Sequence, residues 1–130
     1  MNDKELVKAA FSAMQNAYAP YSNYKVGAAL VGASGKVYTG CNVENASYGP
    51  TNCAERTAFF KAVSEGEKDF TAIAVVGGKN GEISSMCSPC GVCRQVMAEF
   101  CQKDFMIILW DGKLTKAHTL EKLLPESFSL

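Results

Sequence analysis

Two stretches of the chain, Thr71 to Val76 and Phe105 to Trp110, run apolar almost without interruption. A strand that meets water on one face alternates polar and apolar residues, whereas a continuous apolar run belongs to a strand buried on both faces. Such strands need a covering layer on each side, and the segments around them are helical in pattern. Asn2 to Tyr18 carries Leu6, Ala9, Ala10, Ala13, Met14 and Ala17 at three- and four-residue spacing, which predicts an amphipathic helix that starts at the polar pair Asn2-Asp3 and stops at Ala19-Pro20-Tyr21-Ser22. Cys53 to Ser64, stopped by Gly66, and Gly91 to Cys101 read as further helices, and Leu120 to Leu124 as a short one. Tyr24 to Val31 and Val37 to Val43 flank the turn Ala33-Ser34-Gly35-Lys36 and form a hairpin. Asp111-Gly112 turns the chain into a last strand, Leu114 to His118, antiparallel to its neighbour. This order predicts an α/β fold: a single mixed β-sheet of about five strands flanked by helices on both faces, in one domain over residues 1–130.

Composition narrows the classes of partner. Thirteen basic and thirteen acidic residues leave a formal net charge of zero. A protein that grips nucleic acid by its phosphates shows a basic excess, so the balance points to small, near-neutral partners. No run approaches the roughly 20 apolar residues of a membrane span. The polar start Met-Asn-Asp-Lys-Glu-Leu is unlike a signal peptide, which places the chain in the cytosol as an expectation. Six cysteines in a reducing compartment serve metal binding or catalysis more often than disulfides.

Four of those cysteines cluster in two short segments: Cys53-Ala54-Glu55-Arg56, and Cys87 followed by Pro89-Cys90-Gly91-Val92-Cys93-Arg94. Both segments open a predicted helix, where free amides and the helix dipole favour thiolate. Cys90 and Cys93 share one face of the first turn. Two such helix ends facing each other could present Cys53, Cys90 and Cys93 to one zinc ion, with the fourth tetrahedral position open for water. Three thiolates on Zn²⁺ carry a formal charge of about −1, which works against activating that water. The chain has eleven lysines but only two arginines, Arg56 and Arg94, each within three residues of a proposed ligand. They are read as donors to the sulfurs.

Two other arrangements stay open on spacing alone. Cys87-x2-Cys90-x2-Cys93 matches the first three ligands of a ferredoxin-type run, but position 97 is Met97 and Cys101 falls four residues late. A closed zinc site would use Cys53, Cys87, Cys90 and Cys93. Neither gives Glu55 a task. Cys41 and Cys101 read as buried apolar thiols. His118, the sole histidine, reads as structural, which leaves little support for a histidine-based triad.

With these residues in place the chain resembles the cytidine deaminases, specifically the small homotetrameric type. The family pattern appears as Cys53 to Ala58 and Ser88 to Gln95, and continues through Tyr18 to Ser22, Val26 to Ala29, Gly40 to Ala46 and Leu123 to Pro125. The resemblance implies a three-layer fold of that family. It also implies a hydrolytic deamination already established for zinc deaminases: cytidine, deoxycytidine or both are converted to the uracil nucleoside and ammonia in pyrimidine salvage. By position it makes Cys53, Cys90 and Cys93 the ligands of one zinc per chain and Glu55 the proton shuttle. Asn42 and Glu44 match its ribose-binding pair; two residues apart on a strand, they would project together from its end and could jointly donate to and accept from a hydroxyl. Tyr24, where the family usually has Phe, and Phe128 match substrate-facing aromatics. The backbone at Ala54 and Ser88 would meet the pyrimidine edge, and Ala46 and Tyr48 would reach the site of a neighbouring subunit in a homotetramer with shared active sites. A near relative, blasticidin-S deaminase, shares the zinc core, and the Asn42/Glu44 pair favours an ordinary nucleoside over its peptidyl one.

Overall fold

The computed structural model describes residues 1–130. The first helix, α1, spans Asp3–Met14 and is capped by Asn2, whose Oδ1 accepts from the Glu5 N–H at 2.8 Å. Leu6, Val7, Ala10 and Met14 form its buried stripe. It ends four residues before the predicted Tyr18, because Gln15 and Asn16 tighten onto Ser12 and Ala13. Tyr18 is thereby freed to pair with residues 42–44, donating to Asn42 O at 3.0 Å and accepting from Glu44 N at 2.8 Å.

The strands β1 (Tyr24–Gly32), β2 (Val37–Cys41), β3 (Phe70–Lys79), β4 (Met106–Trp110) and β5 (Thr115–Thr119) form one sheet in the order β2-β1-β3-β4-β5. The β3–β4 pair is parallel, with Ala72 opposite Met106 and Val75 opposite Leu109; the other pairs are antiparallel. A parallel pair needs a crossover, and helix α3 (Gly91–Phe100) lies in the segment that supplies it. Helix α2 (Ala54–Ser64) links the hairpin to β3, and α4 (Leu120–Leu123) follows β5. The two apolar runs are the strands β3 and β4 next to each other, as their patterns predict.

Alternation on β1 divides the interior. Ala28 and Leu30 face a core with Phe59, Ile73, Val75, Met97, Phe105 and Ile107, beneath α2 and α3. Ala29 faces the other side with Leu6, Ala10, Met14, Ala74, Val76 and Ile108, beneath α1. Phe59 is fully buried and meets Phe70 edge to face at 5.1 Å.

Two glycines let helices approach the sheet from opposite sides. A Cβ at Gly27 would lie 2.0 Å from Ala10 O and 2.5 Å from Met14 N of α1. A Cβ at Gly40 would lie 2.5 Å from Ala54 O and 2.6 Å from Ala58 N of α2. Gly40 stands opposite Ala28, on the α2 face, and Gly27 opposite Cys41. The α2 N-terminus therefore rests on the hairpin with no side chain between. Gly27→Ala should push α1 off the sheet and destabilise the fold by about 1–3 kcal/mol or more, seen as a lower urea midpoint with an unchanged slope. Stability equal to wild type would mean α1 has slack over β1.

Candidate metal centre

The helix starts that the sequence places at Cys53 and Cys90 meet in space. Each of these cysteines is the N-cap of its helix, with extended backbone (φ −75°, ψ 155° at Cys53; φ −69°, ψ 167° at Cys90) and no side-chain capping bond, so both sulfurs are free to turn away from the helix. Cys93 follows in the first turn of α3. The Sγ atoms of Cys53 and Cys90 are 3.8 Å apart and those of Cys90 and Cys93 are 3.5 Å apart, and all three lie within 4.8 Å of one another. Ligands about 2.3 Å from a tetrahedral zinc are about 3.8 Å from each other, so the trio fits zinc without rearrangement. Cys93 is buried, Cys53 half-buried and Cys90 exposed, which leaves the cluster open on one side.

The surrounding charge suits thiolates. Arg56 Nη2 donates to Cys53 Sγ at 3.2 Å, because a residue three positions on returns to the same helix face. Cys53 is held down to about 5, chiefly by the hydrogen bond from Cys93 and further by Arg56, against burial. Cys93 is pushed up by that same bond and by burial. Glu55 is 4 % exposed in the first turn of α2. Burial pushes its carboxyl up to about 7, with the Cys53 charge adding to the rise and its own backbone N–H opposing it.

Arg94 corrects the sequence reading. Its Nε donates to Pro89 O at 2.8 Å, Nη1 to Leu123 O at 2.7 Å and Nη2 to Ser88 Oγ at 2.9 Å, so its donors meet oxygens rather than sulfurs. Adjacent helical side chains diverge by about 100°, so Arg94 leaves Cys93 on another bearing. Cys87 also stands outside the trio. Its sulfur lies over Gly77, 3.0 Å from where a Cβ would sit, and burial pushes its thiol up to about 11. Cys41 and Cys101 are half-buried rather than buried: Cys41 ends the edge strand β2 and Cys101 caps α3 at the rim of the core. Burial still lifts Cys101 to about 12. His118 lies on edge strand β5 opposite Ile107, outside the trio.

Asn42 and Glu44 are not on a strand, since β2 ends at Cys41. Their alternation survives because Val43 bridges Tyr18 and Asn52. Asn42 is buried; its Oδ1 accepts from Val26 N at 2.9 Å and its Nδ2 donates to Tyr24 O at 2.8 Å. Glu44 Oε1 accepts from the N–H groups of Tyr21 (2.9 Å) and Ser22 (3.1 Å), and Oε2 from the Ser22 hydroxyl. These bonds hold its carboxyl below the usual range, the Ser22 hydroxyl most of all. Glu44 lines a hollow of about 310 Å³ with Tyr21, Ser22, Asn45, Tyr48 and Thr51. The sequence reading gave Ser22 no part beyond ending α1; its hydroxyl beside a Pro-Tyr turn was the only signal.

The remaining expected residues are spread out. Tyr24 is half-buried at the start of β1, and Ala54 is buried at the start of α2. Ser88 precedes Cys90 with its hydroxyl on Arg94. Ala46 and Tyr48 are exposed on the loop after β2. Phe128 is 67 % exposed and lines a separate hollow of about 650 Å³ with Cys101, Gln102 and Leu124; that hollow does not include Cys53, Cys90 or Cys93.

Comparison with known proteins agrees with this geometry. The family model for the cytidine and deoxycytidylate deaminase zinc-binding region matches residues 1–109. The chain is 48 % identical over 131 aligned positions to a cytidine deaminase of Sporosarcina psychrophila, covering 99 % of this chain and 93 % of that protein. It is 49 % identical, again over 131 positions, to one of Halalkalibacterium halodurans, covering 99 % and 96 %. The crystal structure of a cytidine deaminase from Burkholderia pseudomallei superposes with a TM-score of 0.90 at 49 % identity, covering 98 % of this chain and 100 % of that one.

The separation of Cys87 from the trio has a direct test. Cys87→Ser should keep one zinc per chain by metal analysis of the purified protein. Loss of zinc in that variant would restore the closed four-cysteine site.

Proposed function

The chain belongs to the cytidine and deoxycytidylate deaminase family with the zinc-binding region, and on that footing we propose that it converts cytidine, deoxycytidine or both by hydrolysis to uridine or deoxyuridine plus ammonia, in pyrimidine salvage. One observation carries the reading: a buried carboxyl, Glu55, two residues from one of three cysteines at zinc-ligand spacing. Three protein ligands leave a tetrahedral ion one position for chemistry. Zinc held by Cys53, Cys90 and Cys93, one per chain, supplies the Lewis acidity that makes water a nucleophile at neutral pH.

The rest of the work falls to the chain. Glu55 takes a proton from the water that adds to C4 of the cytosine ring and delivers it to N3. It then carries the remaining hydroxyl proton to the amine on C4, which leaves as ammonia while the C4 carbonyl forms. A base near pH 7 both accepts and releases protons readily, so burial of Glu55 suits both transfers. Arg56, bonded to Cys53, offsets the thiolate charge.

Asn42 and Glu44 are proposed to hold the sugar. Glu44 is already fixed by three donors, and Asn42 keeps one amide hydrogen beyond its bond to Tyr24 O. Tyr24 and the backbone of Ala54 and Ser88 are proposed to flank the base. Ala46, Tyr48 and Phe128 are exposed, which supports their serving the site of another subunit in a homotetramer. No helix is long and apolar enough to cross a membrane. All six cysteines are unpaired, which supports a cytoplasmic, reducing location.

Glu55→Gln preserves shape but cannot shuttle protons. It should keep its zinc and its thermal transition and lose about 10²–10⁴-fold or more in turnover, followed by the ultraviolet change on cytidine. Near-normal turnover would remove Glu55 from the mechanism. Light scattering on the purified protein should report about four chains, and a fully active monomer would end the shared-site proposal.

A further inference from the structure

Arg94 spends its guanidinium on three acceptors from two distant parts of the chain. Pro89 O and Ser88 Oγ belong to the turn that leads into Cys90, and Leu123 O ends α4, 29 residues further along. The last carbonyls of a helix lack intrahelical partners, and a cation placed there satisfies them. The upstream end of α4 is tied elsewhere, through Leu120 N to Phe105 O and Glu121 N to Lys103 O. Beyond Leu124 no residue hydrogen-bonds to the rest of the chain. Arg94 is thus the final polar anchor before the exposed residues 125–130, among them Phe128. It fixes in the same stroke the two residues that precede Cys90.

We propose that Arg94 is a positioning residue that couples the Ser88–Cys90 turn to the C-terminal segment, so that the seating of that segment is felt at the substrate side of the metal centre. A charge alone would not do this. Three acceptors in different directions need the planar fork of guanidinium, and a lysine ammonium on a flexible stem cannot span them. The coupling is a property of the fold; only its kinetic consequence rests on the deaminase reading.

The test uses the zinc-loaded full-length protein with Arg94→Gln and Arg94→Lys, and a chain ending at Lys122, which removes the Leu123 carbonyl. Arg94→Gln should retain one zinc per chain. It should speed amide hydrogen exchange in two segments together, 88–94 and 120–124. Its KM for cytidine should rise about tenfold, the loss of one charged hydrogen bond, with a smaller change in kcat. Arg94→Lys should behave like Gln rather than rescue. Ending the chain at Lys122 should speed exchange over 88–94 by itself, and adding Arg94→Gln to it should add little, as expected of groups in one network. Exchange confined to 88–94 in Arg94→Gln, strictly additive effects, or rescue by lysine would each overturn the coupling. Loss of zinc in Arg94→Gln would return this arginine to a charge-balancing role at the sulfurs. Should the wild-type chain fail to act on cytidine, the deaminase reading would fall while the exchange results still decided the coupling.

Discussion

Three sulfurs within 4.8 Å of one another are a demanding thing for a chain to assemble. As thiolates they repel, so they depend on every nearby donor. The molecule meets that demand with two helix N-termini aimed at one point, where free amides and the dipole favour negative charge, and with a guanidinium on Cys53. Both helix starts must then be placed to within a fraction of an ångström. Gly40 allows the backbone of α2 to lie directly on β2, where any side chain would collide with Ala54 O and Ala58 N. The position of α3 follows from the parallel β3–β4 pair, which obliges the chain to cross over the sheet between them.

Burial does two jobs around this cluster, and the difference lies in what each group can reach. Glu55 loses water on burial, and its carboxyl rises to about 7. Glu44 has three donors from Tyr21 and Ser22, so its carboxyl stays below the usual range and remains an anion. The same functional group is thus shifted in opposite directions by its surroundings.

Asn42 and Glu44 both brace their own chain. Asn42 stitches the start of β1 at Val26 and Tyr24, and Glu44 closes the turn at residues 21–22. A polar pair built this way is rigid before any ligand arrives, so little ordering remains to be done on binding.

The legible parts of this protein were those governed by neighbours along the chain. Apolar runs at 71–76 and 105–110 specified strands buried on both faces, because strand burial shows in the period of the residues themselves. The Cys-x-x-Cys spacing and the Cys53-Ala54-Glu55-Arg56 segment pointed to a sulfur cluster, a carboxyl beside it and one arginine partner, because each lies within a helical turn of the next. What only the tertiary structure decided depended on residues far apart in sequence. Tyr18 left the predicted helix to pair with the chain after β2, Arg94 turned from the sulfurs to a carbonyl 29 residues away, and Phe128 came to line a hollow that does not include Cys53, Cys90 or Cys93. A helical period cannot register such long-range acceptors, because hydrogen bonds between distant segments exist only once the fold has brought them together.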